Sequence, residues 1–372
     1  MTARRSASSP PGHVDPPLAR ALEDAEVVVC CGSGGVGKTT TAATIGLELA
    51  GRGRRVVVVT IDPARRLADA LGLPDGLGNE PARLPLVGAG GGELWATMLD
   101  TAATFDGIVR ANASDDDQAE RILANRFYRN IAGALSGTQE YMAAERLHAL
   151  HADPRFDVVV VDTPPSRHAL DFLDAPGTLA RFLDHPLFRL LMLPTRRGLK
   201  VLNVATQPVL RTIGKVVGGE VLADAVAFFQ AFEGMETGFR RRADEVLALL
   251  QAPVTRFVLV ASPRRDTVDE AVFFADRLRE SSLGVSAVVV NRCTPRFAAP
   301  QVARRDEDAA LWHNFDELAA MATAEAAQVG ELQAHAGAAP LVWVPLLAGD
   351  VHDLDGLRAI AGLLFAAAPE AG

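Results

Sequence analysis

A doubly wound α/β domain with a mostly parallel sheet is predicted by three features of the sequence. Short β-branched runs recur at Val27 to Cys30, Val56 to Thr60, Asp157 to Val161, Phe257 to Val260, Ala287 to Val290 and Leu341 to Val344. Each run is apolar without alternation, which suits strands covered on both faces and hence a parallel sheet. Helical patterns such as Thr39 to Arg52 and Thr267 to Glu280 lie between them. βαβ units with right-handed crossovers are the economical way to join such pieces. The third feature is a glycine-rich turn placed directly after the first strand and directly before a helix, at the carboxyl edge where α/β sheets bind ligands.

In chain order, the start carries Arg4 and Arg5, then Ser, Pro and Gly without an apolar run. It fails as a signal peptide and is expected to be a flexible tail over residues 1–22, ahead of one domain over 23–368. After the strand Val27 to Cys30, the residues Gly32, Ser33, Gly34, Gly35, Val36, Gly37, Lys38 and Thr39 fit G-x-x-x-x-G-K-[ST]. Glycines let the backbone curl so that successive N–H groups point inward, and the following helix, with Thr40 in its first turn, adds its positive end. The result is a cradle for the phosphates of ATP. Lys38 is expected to reach the β- and γ-phosphates and the Thr39 hydroxyl to ligate Mg²⁺. The chain has lysine only at Lys38, Lys200 and Lys215. An incidental lysine is therefore a poor account of Lys38.

Asp62 ends the run Val56 to Ile61, at the same sheet edge, where it can orient the attacking water. Glu80 to Gly92 reads as a surface loop rich in Gly and Pro, and Leu94 to Leu99 as a weaker strand. Asp162 ends the run Val158 to Val161, where a carboxylate can hold a water of the Mg²⁺ shell. Capping of a following helix is the alternative use of either aspartate. Two helix-rich stretches, about 101–151 and 176–251, exceed a single crossover and are expected to be helical insertions on the P-loop domain. The second holds Leu187 to Leu193 and Phe228, Phe229 and Phe232. Packing on the sheet accounts for such side chains, and an exposed groove for an apolar helix or a membrane-protein client is the sharper reading.

The composition bounds the function classes. Of 372 residues 49% are apolar and 22% charged, and the net charge is −9, so the basic excess of a nucleic-acid binder is missing. Cys30, Cys31 and Cys293 show no paired spacing, which excludes a disulfide framework and points to a reducing, cytoplasmic setting. No apolar run is long enough for a transmembrane segment. The spacing of His148, His151, His168 and His185 matches no closed metal site, and Arg240 to Arg242 reads as a solvated helix face.

The loop, Asp62-Pro63-Ala64, the stretch Asp162-Thr163-Pro164-Pro165-Ser166-Arg167-His168, and Asn291 after Val288 to Val290 together resemble the arsenite-pump ATPases and the tail-anchored-protein-targeting ATPases. These belong to the deviant Walker A class, with the MinD and ParA ATPases. The resemblance covers roughly Val27 to Leu364. It implies nucleotide held at a dimer interface, Asp62 and Asp162 in two switch segments, and the Asn291 amide reading adenine.

Departures accompany it. The family's loop carries a lysine that reaches the partner's phosphates, and here that position is Ser33. Losing one preorganised donor costs on the order of 10²–10³ in rate. The sequence therefore predicts a heterodimer completed by a lysine-bearing paralogue, with a homodimer as the other arrangement. Arg65 stands where the family often has His, and Ser166-Arg167 where it has Thr-Gly. The metalloid-binding cysteines and the Cys-x-x-Cys zinc pair are missing. The function expected is an ATP-hydrolysing conformational switch. Its alternatives are a regulatory subunit with little turnover, or a positioning ATPase like MinD and ParA.

Overall fold

The computed structural model describes residues 16–366 apart from 63, 86–89, 127, 130–137, 165–223, 225–226, 229–230, 232–233, 298–303 and 306–307. The chain begins with α1 (Pro17–Ala21), β1 (Val27–Cys31), α2 (Lys38–Gly51), β2 (Arg55–Thr60), α3 (Arg66–Ala70), β3 (Ala82–Leu84) and β4 (Glu93–Met98). Then come α4 (Thr101–Asn112), α5 (Asp116–Leu123), α6 (Thr138–Ala152), β5 (Val158–Asp162), α7 (Glu236–Gln251) and β6 (Thr255–Ala261). The last part holds α8 (Arg265–Glu280), β7 (Val285–Cys293), α9 (Ala309–Ala336), β8 (Leu341–Pro345) and α10 (Leu354–Leu364).

The strands form one eight-stranded sheet in the order β3-β4-β2-β5-β1-β6-β7-β8. Every pairing is parallel except β3 with β4. All strands predicted from the apolar runs are present, with ends displaced by at most three residues. β1 is central, and its side chains divide by the pleat. Val27, Val29 and Cys31 enter one core with α4 to α9, while Val28 and Cys30 enter a second core with α1, α2, α3 and α10. Helices on both faces make the sheet doubly wound, as the unalternating apolar runs require.

Three expectations need correction. The tail predicted over 1–22 does not extend that far: α1 occupies Pro17–Ala21, and Leu18 and Leu22 are fully buried in the second core. A five-residue helix with two leucines is too short to register as a periodic pattern, so only packing reveals it. The loop predicted over Glu80 to Gly92 contains β3, a short antiparallel edge strand on β4. Its sequence Ala82-Arg83-Leu84 carries no strand signal of its own. The described residues of the stretch predicted as the first insertion include helices α4, α5 and α6. Of the second insertion, α7 and a few residues before it are described, so Leu187 to Leu193, Phe229 and Phe232 lie outside the described residues. The Arg240 to Arg242 face is not wholly solvated, because the Arg242 guanidinium donates to the buried Glu145 carboxylate at 2.8 Å.

Candidate functional site

The sheet register determines which strand ends share one edge. Cys30 pairs with Asp162 across β1 and β5, and Thr60 pairs with Asp162 across β2 and β5. The chain then leaves β1 through Gly32, whose φ of 155° and close approach to the Val260 carbonyl, 2.0 Å from where a Cβ would stand, exclude a side chain. It enters α2 at Gly37, in the left-handed region at φ 95°. No side chain caps α2, so the N–H groups of its first turn have no intrahelical partners and point into the loop. Such a helix start, preceded by a curled backbone, is an anion cradle. The buried Lys38 ammonium donates to the Ser33 carbonyl at 2.7 Å, which places it across the mouth of the loop. Burial, the largest influence, lowers its pKa, and the Asp162 carboxylate opposes that shift.

Asp162 is 1% exposed. Its Oδ2 accepts hydrogen bonds from the Thr39 hydroxyl at 2.8 Å and the Thr60 hydroxyl at 2.9 Å. Its Oδ1 is buried without a hydrogen-bond partner. Burial, the largest influence, raises the Asp162 pKa to about 6 against the two hydroxyls and the Lys38 charge. An orphaned carboxylate oxygen beside a threonine hydroxyl at the start of a phosphate cradle is a hard-oxygen donor set, and it fits the Mg²⁺ that accompanies a nucleoside triphosphate.

Asp62 lies just beyond β2 at the same edge. Its Oδ1 accepts the Ala64 N–H at 3.0 Å and its Oδ2 pairs with Arg66 at 3.0 Å. Asn291, in β7, donates from Nδ2 to the Val36 carbonyl at 2.9 Å and accepts the Arg292 N–H on Oδ1 at 2.9 Å. The amide expected to read a base thus also braces the loop. One N–H and one lone pair of the amide remain for a ligand. Arg292, at φ 60° where the register of β7 shifts, donates to the Gly35 carbonyl at 2.8 Å. Ser33 is buried and its hydroxyl has no partner.

The structure therefore gathers Gly32 to Thr40, Asp62, Asp162 and Asn291 at one sheet edge. Thr60, Arg66 and Arg292 were not singled out from the sequence. Arg66 was detectable, since it stands four residues after Asp62 at the start of a helix, a spacing that brings side chains together. Thr60 and Arg292 depend on strand register and a bulge, which spacing does not encode. Ser166, Arg167 and His168 lie outside the described residues. Burial raises the pKa of all three cysteine thiols, to about 12 for Cys31 and Cys293, so they behave as packing groups. Among the described residues no cluster of His, Cys, Asp and Glu could hold a metal ion by itself, and no helix is long and apolar enough to cross a membrane.

A family model described as "Anion-transporting ATPase" matches residues 25–366, which spans the whole sheet and every site residue named above. The chain belongs to that family. The proteins similar to it include an ATPase GET3 from Rhodotorula glutinis, 28% identical over 289 residues, which is 77% of this chain and 76% of that one. An ATPase get3 from Aspergillus terreus is 28% identical over 263 residues, 70% of this chain and 71% of that one. A chain from Aquifex aeolicus, named as an arsenical pump-driving ATPase, is 22% identical over 347 residues, 92% of this chain and 79% of its own. This member of the anion-transporting ATPase family is an ATP-hydrolysing enzyme.

Proposed function

We propose that this family member is one subunit of a cytoplasmic dimeric switch driven by Mg²⁺·ATP. The observation that carries the reading is Asp162, buried between the Thr39 and Thr60 hydroxyls beside Lys38 with one oxygen left over. Thr39 and Asp162 would hold Mg²⁺, which when bound supplies charge neutralisation on the phosphates. The loop amides from Gly34 to Thr40 and the Lys38 ammonium bind and orient the triphosphate. Asp62 positions the water that attacks the γ-phosphorus, and Asn291 meets the adenine edge. Because Asp62 and Asp162 end adjacent strands, loss of the γ-phosphate is felt by the segments following both, and this moves the subunits.

Ser33 supports a heterodimer, because a buried hydroxyl supplies no cation at the loop position where the family has lysine. A lysine-bearing paralogue would complete the site. The same observation favours a second reading, a subunit that closes on ATP and scarcely turns it over. The segment 176–251, rich in Leu and Phe, is the place where an apolar helix of a client would dock. The net charge of −9 supports neither nucleic acid nor a positioning ATPase on an acidic surface.

Phosphate release by the purified chain, with and without the paralogue, tests the assignment. The heterodimer reading expects slow turnover alone and a gain on the order of 10²-fold on mixing. ATP binding without any gain on mixing would leave the regulatory reading. Unchanged ATP affinity in Lys38→Ala would overturn both.

A further inference from the structure

The switch carboxylate is not free at rest. Asp62 is largely buried and accepts from the Ala64 N–H on one oxygen and from the Arg66 guanidinium on the other. With both oxygens engaged, the carboxylate has fewer lone pairs left to hold a water. Arg66 is the member of the pair that can move, since its side chain is 58% exposed and it opens a helix of only five residues. Its neighbour Arg65 is committed elsewhere, donating to the Pro74 carbonyl at 2.6 Å.

The pairing with Asp62, just beyond β2 at the edge where the loop starts, holds Arg66 near the phosphate mouth. The Lys38 ammonium is subject to the charges of Asp162, Asp62 and Arg66, the last opposing its protonation, so the four groups share one small neighbourhood. A γ-phosphate arriving at Lys38 would bring Arg66 an anion of higher charge, with oxygens spaced for its planar fork.

We propose that Arg66 is a γ-phosphate ligand that exchanges partners during the cycle. At rest it pairs with Asp62. With ATP bound its guanidinium leaves Asp62 for the γ-phosphate, and the uncovered Asp62 carboxylate holds the attacking water. With ADP the γ-phosphate is gone and the pair with Asp62 forms again. The inference rests on the ATPase assignment above and adds to it a residue that distinguishes ATP from ADP.

The test compares the full chain with Arg66→Ala, Arg66→Lys, Asp62→Asn and the double variant Asp62→Asn/Arg66→Ala in magnesium buffer. The readouts are the affinity for a non-hydrolysable ATP analogue, the affinity for ADP, and turnover. Arg66→Ala is expected to lose about 10- to 100-fold in affinity for the analogue while ADP affinity stays within about twofold. Turnover falls with it, and Arg66→Lys recovers part of the loss. Asp62→Asn frees Arg66 from its resting partner, so it binds the analogue more tightly, and this gain disappears in the double variant. Equal effects of Arg66→Ala on analogue and ADP would overturn the proposal, as would turnover faster than wild type, the mark of simple restraint on Asp62. A wild-type chain that binds neither nucleotide would remove the underlying site assignment as well, which separates that failure from the first.

Discussion

Asp162→Asn is expected to stabilise the nucleotide-free protein at neutral pH and to leave it unchanged in acid. Burial raises the Asp162 pKa from 3.8 to about 6, so the folded chain holds a proton there that the unfolded chain releases. The stability conferred by that proton is fully present below pH 3.8, declines as the pH rises, and is gone above pH 6. The displacement corresponds to about 3 kcal/mol. Asparagine reproduces the protonated carboxyl: its carbonyl can accept from Thr39 and Thr60, and its NH₂ replaces the protonated Oδ1, which is the orphaned oxygen. Urea unfolding of both proteins in EDTA, at fixed ionic strength from about pH 4 to pH 8, measures the difference. Asn should exceed Asp by about 3 kcal/mol at the upper end and approach it at the lower, with the change falling between pH 3.8 and about 6. A difference that does not vary with pH, or a variant less stable at neutral pH, would refute the reasoning.

Three other outcomes follow from packing. Gly37→Ala places a Cβ 2.2 Å from Asn291 Nδ2 at φ 95°, so it should cost about 2–3 kcal/mol and weaken ATP binding. Combining it with Asn291→Ala should recover the steric share, which a double-mutant cycle reads directly; strict additivity would count against the contact. Arg242→Ala leaves the Glu145 carboxylate buried with only the Tyr141 hydroxyl at 2.6 Å, and a loss of about 3 kcal/mol in urea unfolding is expected. Adding Glu145→Gln should restore part of it. Leu18→Ala should cost about 2–5 kcal/mol, because α1 is buried in the second core; a loss below about 0.5 kcal/mol would return Pro17–Ala21 to the tail.

Much of the site was legible because the loop is a local object. Gly32 and Gly37 announce backbone that other residues cannot adopt, and Lys38 and Thr39 follow at the spacing a helix start demands. Asp62 and Asp162 were legible as the polar residues ending apolar strands. Their partners were not. Thr60 reaches Asp162 through the β2–β5 register, and Arg292 reaches Gly35 through a shift late in β7. Arg242 read as a surface residue because the buried Glu145 opposite it comes 97 residues earlier.

The linear order of residues determined the strands, the glycine-rich loop and its lysine, since each depends on neighbours within a few positions: β-branched runs, glycine dihedrals, the first turn of a helix. Only the folded sheet decided that Asp162 carries an unpartnered oxygen, that Asp62 rests on Arg66, and that Leu18 and Leu22 belong to the core. Burial and charge pairing arise from groups distant in sequence and adjacent in space. They come into being when the strands take their register, because a buried carboxylate responds to whatever lies within a few ångströms of it.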